Sequence, residues 1–317
     1  MLLGARSVDR VLEAGKVDNE DWRSKLELIG AMRAFAAGQG FAPSRSYTTV
    51  NLGFEHVVNV VTACAPDRFD AHSWNFPIVG EVPYKGFFDP QDAERLADRL
   101  RDKGLDVSVR AAGAYSTLGW FRDPILPSIL DMSLPGYVNT ILHESAHASL
   151  YINGQGDFNE SWASFIGDTA ETLFFIDNAE RWPDILLRAS ERRRDRQLYG
   201  AFLLDLYDRL DAVYQAGGSR EQIMTSKSGI ISQALVEYSG LPFANEAWST
   251  LFDERELNNA VIQSARRYGR GMDRLQSAFE RCGKTLEEFI KASKSLEKMN
   301  GDPWVNLDSL CLLDPTD

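Results

Sequence analysis

Apolar residues recur at helical spacing over residues 8–42. Val8, Val11, Leu12, Trp22, Leu26, Ile29, Met32 and Phe35 mark the pattern, and Gly38 and Gly40 end it. From Tyr47 the grammar changes. Val57 to Thr62, Ser73 to Val82 and Leu105 to Arg110 are β-rich runs bounded by Gly, Pro and Asp, and they predict strands. Between the last two, Asp89-Pro90-Gln91-Asp92 opens a helix through Leu100 that Gly104 stops. This reads as a small mixed sheet with one crossover helix. After about residue 135 strand signals nearly vanish, and helical patterns cover residues 161–178, 183–216, 219–239, 254–283 and 285–298. The expected fold class is α+β. A small mixed α/β lobe over residues 1–134 precedes a helix and an all-helical lobe over residues 135–317, unless the two form one continuous domain.

The helix expected after residue 134 carries the chemistry. Pro135 suits a first helical turn, where a missing N–H costs little. Val138, Ile141, Leu142, Ala146, Leu150 and Ile152 make an apolar stripe, and Asn153-Gly154 supplies a stop. Within it lies His143-Glu144-Ser145-Ala146-His147. Positions i and i+4 share a helix face, so both imidazoles can address one point. That suits two ligands of a single zinc ion, with Glu144 placed to deprotonate a water the metal activates. The chain has four histidines, His56, His72, His143 and His147, so half of them lie in this motif. The bland alternative is a helix with two histidines on a half-buried face, which costs free energy unless something satisfies them.

A hydrolytic zinc usually takes three protein ligands. Six residues past His147, where a third histidine would complete one known pattern, stands Asn153. The expected third ligand is Glu160, brought back by the short connection Asn153-Gly154-Gln155-Gly156 into a second helix. Against this, Asp157 and Glu160 have the spacing of a capping box, in which Glu160 bonds only to backbone. Asp157 is the second choice of ligand, or a partner of a ligating histidine. Trp162, Phe165 and Ile166 read as core.

Composition removes several classes. Lys+Arg 34 against Asp+Glu 46 gives a net charge of −12, which argues against nucleic acid or an anionic membrane as partner. The basic run Arg188 to Arg196, interrupted by Glu191 and Asp195, reads as a solvated helix face. No stretch approaches the roughly 20 apolar residues of a membrane span. The opening residues lack the apolar core of a signal peptide, and the compartment stays open, the cell envelope included. Cys64, Cys282 and Cys311 are odd in number and widely spaced, which suggests neither a disulfide framework nor a cysteine metal site.

Several blocks beyond the motif resemble a bacterial aminopeptidase family of zinc enzymes with H-E-x-x-H and a downstream Asn-Glu. They are Arg45-Ser46-Tyr47, Trp74-Asn75-Phe76-Pro77-Ile78-Val79-Gly80, Tyr84-Lys85-Gly86-Phe87-Phe88, Ala114-Tyr115-Ser116-Thr117-Leu118-Gly119-Trp120-Phe121 and Leu257-Asn258-Asn259-Ala260. The resemblance implies a gluzincin-like metallopeptidase fold, a peptide or protein substrate, His143, His147 and Glu160 as ligands of one Zn2+ ion, and Glu144 as the catalytic carboxylate. Two departures are visible. Asn75 and Glu81 stand where members often carry cysteines, and no Gly-x-Met-Glu-Asn stretch is present to hold a substrate amine. Peptidase is therefore a firmer expectation than aminopeptidase. The rivals are a zinc hydrolase of non-peptide amides or esters, and a peptide-binding protein with little turnover. For an oxyanion donor the candidates are Tyr115 and Tyr268, each of which also reads as a core tyrosine. Asn258 and Asn259 read as helix caps.

Overall fold

Gly15 and Asn19 divide the first helical stretch. Gly15 adopts a left-handed conformation (φ 61°), which no right-handed helix continues. The Asn19 side chain then accepts the Trp22 N–H and starts a new helix. The single expected run is therefore α1 (Val8–Glu13) and α2 (Glu20–Gly38). The computed structural model describes residues 4–54, 58–76, 80–112, 123–252, 256–264, 271–283 and 285–312. It is α+β and rich in helix. The chain falls into two compact units, each assembled from separated stretches. One comprises Met1–Glu55, Ala114–Ser190 and Arg270–Asp317; the other comprises His56–Gly113 and Glu191–Gly269.

In the first unit β1 (Arg6–Ser7) pairs antiparallel with β2 (Thr49–Val50), and Val50 bridges to Ile125. The core is helical. After α4 (Pro127–Leu130), Ser133 caps α5 (Leu134–Ala146) by accepting the Gly136 N–H, with Pro135 in the first turn as expected. α6 (Gly156–Asp177) runs back along it. Trp162, Ile166, Phe174 and Phe175 from α6 and Tyr137, Val138 and Ile141 from α5 are buried together with Leu26 and Met32 of α2. A buried ammonium holds the approach to α5. Lys25 donates to the carbonyls of Leu130 and Met132 and pairs with Asp21.

The C-terminal part of this unit corrects two expectations. The helix expected over 254–283 is broken, because Gly271 is left-handed (φ 79°). The Trp304 ring lies where a β-carbon at Gly271 would be, 2.1 Å away, so a side chain there has no room. The described helices are Met272–Arg281, Leu286–Ser293 and Pro303–Ser309. Arg274 bonds the Trp304 carbonyl and the Asp308 carboxylate, and Arg281 bonds the Leu307 and Leu310 carbonyls. The chain thus doubles back, and Cys282 and Cys311 form a disulfide across a separation of 29 residues. Spacing could not show this pairing, because it depends on the return of the chain and not on any local pattern. Cys64, in the other unit, is buried and free.

In that second unit β3 (Val58–Cys64) is central in an antiparallel sheet ordered β6-β3-β7, with β6 (Lys85–Phe87) and β7 (Asp106–Ala112) on its flanks. β4 (Trp74–Phe76) and β5 (Gly80–Val82) form a separate antiparallel pair. Every paired neighbour among these described strands is antiparallel, where a mixed sheet was expected. The crossover helix is present: α3 (Pro90–Arg101) joins the two outer strands, opened by Asp89 and followed by left-handed Gly104. Residues 191–216 of α7 (Ile185–Ala216) pack with α8 (Arg220–Ser239) and α9 (Asn259–Ser264) around Leu203, Leu206, Leu210, Ala234 and Ile262. Asp195 is not solvated as its sequence context suggested. It is buried and accepts the N–H groups of Ala244 and Asn245. Asn258 does cap α9. Among the described residues no helix is long and apolar enough to cross a membrane.

Candidate metal centre

α5 ends earlier than its sequence stop implied, at Ala146. His147 closes it with helical dihedrals (φ −57°, ψ −24°), so the four-residue spacing that aligns the two histidines survives. The chain then turns through Gly154 (φ 75°) into α6. Asn159 holds this connection at both ends. Its side chain accepts the Ile152 N–H at 2.9 Å and donates to the Ile152 carbonyl at 2.8 Å. The next residue is Glu160. α6 begins at Gly156 with Gln155 as its cap residue and no side-chain cap bond, so the Asp157–Glu160 capping box does not form.

Glu160 faces the two imidazoles instead. Its carboxylate oxygens lie 3.5 Å from Nε2 of His143 and 3.7 Å from Nε2 of His147. Good hydrogen bonds of this kind are about 2.7–3.2 Å long. A tetrahedral ion with arms of about 2.0–2.1 Å would separate its ligand atoms by about 3.3 Å, nearer to what is seen. The candidate donor atoms of His143, His147 and Glu160 all lie within 4.8 Å of one another, so this group can hold a metal ion. Nδ1 of His147 is buried without a hydrogen-bond partner among the described residues, so no network of that ring's own accounts for its burial.

The two rings differ electrostatically. Burial and the charge of His143 push His147 down to about 4, leaving it neutral with a lone pair to offer. Burial also acts to lower His143, but the pairing of its N–H with the accepting Glu160 carboxylate and the charges of Glu144, Glu160 and Asp168 outweigh it and leave it raised. Exposure follows the same order: the His147 side chain is 2% exposed, His143 16% and Glu160 29%. One face of the site is therefore open. Glu144 is half-buried on the same helix turn.

α5 and α6 approach closely where the site is built. A β-carbon at Gly167 would lie 3.0 Å from Cβ and 3.1 Å from Cα of His143. One turn along, Asn139 donates to Asp168 and Glu171 at 2.8 and 2.9 Å. Gly167 and this Asn139 cluster were not singled out in the sequence, and Asn159 entered it only as the Asn of the downstream Asn-Glu pair; no local periodicity marks them. The motif histidines His143 and His147 do come together with Glu160. Tyr115, Tyr268 and His56 lie outside the described residues. His72 packs edge-on against Trp74 in the other unit.

Fold and site define a helix-rich α+β protein with a His-His-Glu group for a metal on two adjoining helices. The chain belongs to the family described as "Putative aminopeptidase", whose family model matches residues 1–303. No curated protein and no solved structure matches it.

Proposed function

We propose that this chain is a zinc-dependent metallopeptidase of gluzincin-like fold, acting as an aminopeptidase. The observation that carries the reading is the convergence of both Nε2 atoms on the Glu160 carboxylate, with half-buried Glu144 on the same helix turn as the histidines. The family description supports a peptidase, and hence a peptide substrate. His143, His147 and Glu160 would hold the ion; two neutral nitrogens and one carboxylate are a donor set that zinc takes in hydrolases. When bound, zinc polarises a carbonyl and lowers the pKa of a water toward about 7.

The remaining work falls to the chain's own groups. Neutral His147 presents a lone pair across the physiological range, because its proton leaves near pH 4. Glu144 takes a proton from the attacking water on a carboxylate oxygen and passes it to the departing amine nitrogen. Asn159 sets the start of α6 and with it the reach of Glu160.

Peptides with free and with acetylated N-termini, incubated with zinc-loaded protein and with Glu144→Gln, test the reading by mass spectrometry. Wild type should trim the free-ended peptides stepwise. The variant should keep about one zinc per chain and lose at least about 10²–10⁴-fold in turnover. Internal cuts would make it an endopeptidase. Cleavage that survives in the variant, or none in wild type, would end the peptidase reading.

A further inference from the structure

We propose that the second unit carries a binding pocket for a small aliphatic carboxylate, built on one face of α8. All of its lining residues belong to that unit, and it stands independently of the function proposed above.

Met224, Lys227, Ser228, Ile231 and Ser232 follow one another at helical spacing, so they share a face of α8. A cavity of about 470 Å³ lies between that face, the residues Leu105 to Val107 where β7 begins, and Leu257 and Asn258 just before α9. Sites for small molecules span about 300–1,000 Å³ and have mostly apolar walls with a few placed polar groups. This cavity is toward the lower end, which suits a ligand of a few carbons. Leu105, Val107, Met224, Ile231 and Leu257 supply the apolar wall. Leu257 and Asn258 belong to a sequence block that the metal centre does not use.

The polar groups are held in place by the fold itself. Lys227 is buried and donates to the Pro66 carbonyl at 2.8 Å and to Asp106 at 2.5 Å. An ammonium has three N–H donors, so one is left at the wall that Lys227 lines. The Asp106 carboxylate also accepts the Asn259 N–H at 2.9 Å, and Lys227 meets its charge. Asn258 is fixed by a bond from its amide to the Val107 carbonyl at 3.0 Å.

That pairing leaves Arg101, which is exposed, as the remaining charge in the lining. Its ion pairs with Asp98 and Glu94 both use Nη1 and are exposed to water, where such pairs contribute little. Its other nitrogens can therefore turn to an anion. Ser228 and Ser232 add hydroxyls at exposed positions. The lining is thus rich in donors and carries net positive charge, in a chain whose total is −12. A carboxylate accepts these donors while its aliphatic tail covers the apolar wall. A ligand ammonium is disfavoured, because Lys227 already holds the one carboxylate of the lining.

Isothermal titration of the full chain with 4-methylpentanoate tests the proposal. The acid should bind with a Kd at or below about 1 mM, and 4-methylpentanamide at least about tenfold more weakly. Leucine, which has the same tail and an added amine, should bind no tighter than the acid. Ser232→Trp fills the cavity from an exposed position and should abolish binding with the thermal midpoint unchanged. Arg101→Ala should weaken binding about tenfold, and it decides the matter if Ser232→Trp lowers the midpoint. Equal binding of the amide, tighter binding of leucine, or no binding of the acid at about 10 mM would each overturn the proposal. Binding of the acid that survives both variants would overturn it too.

Discussion

His147 and His143 stand four residues apart on one helix and carry opposite shifts. For His147 the dominant cause is burial, which disfavours the charged ring and brings it to about 4. An unfolded chain takes up this proton near pH 6.5, the folded chain only near pH 4. The metal-free protein must therefore lose stability as pH falls through that window, because the unfolded state binds more protons there. The raised His143 has the opposite sign: its contribution is full below its unfolded pKa of about 6.5 and is lost as pH rises through its folded value. Denaturation midpoints measured near pH 7 and near pH 4.5 should fall less in His147→Gln than in wild type. An equal fall would show that His147 is not buried as a neutral ring. The spacing H-E-x-x-H foretold the pair, but nothing in it foretold which ring is buried deeper.

Between elements, the decisive contact is α5 against α6. Glycine at 167 lets the two backbones meet at His143, where a β-carbon would press on main-chain atoms that cannot swing away. Gly167→Ala should lower stability by about 1–3 kcal/mol through overpacking. On the zinc reading proposed above it should also weaken zinc binding by roughly tenfold, as it shifts His143 relative to Glu160; denaturation and competition with a chelator would measure the two effects. Unchanged zinc affinity would mean that the helices have slack at this point. α5 could be read from Pro135 and its apolar stripe, yet its end at Ala146 could not. Leu150 and Ile152 continue the hydrophobic pattern beyond the helix because they pack in the same core without being helical.

For the molecule as a whole, the C-terminal stretch of the first unit is stapled. The Cys282–Cys311 bridge closes a loop over a separation of 29 residues. Such closure restricts the unfolded chain and contributes typically about 2–4 kcal/mol. Replacing both cysteines by serine should cost that much in denaturant unfolding. Thiol titration of the unfolded, unreduced protein should find Cys64 alone, and after reduction all 3 cysteines. Three thiols without reductant would contradict the bridge. In the second unit buried Lys227 pairs with half-buried Asp106 at 2.5 Å, and the Asn259 N–H donates to the same carboxylate.

What the sequence determined by itself was whatever is set within a few turns of chain. The α+β class, the helix opened by Asp89-Pro90, the alignment of His143 with His147 and the second helix that carries Glu160 all follow from periodicity, caps and i,i+4 geometry. Tertiary structure decided everything that joins distant residues. It set the antiparallel order β6-β3-β7, the Cys282–Cys311 pairing, the seat of Gly167 on His143 and the cavity that Lys227 lines. Those features arise from packing and from hydrogen bonds between remote segments, and packing has no period along the chain for a sequence pattern to display.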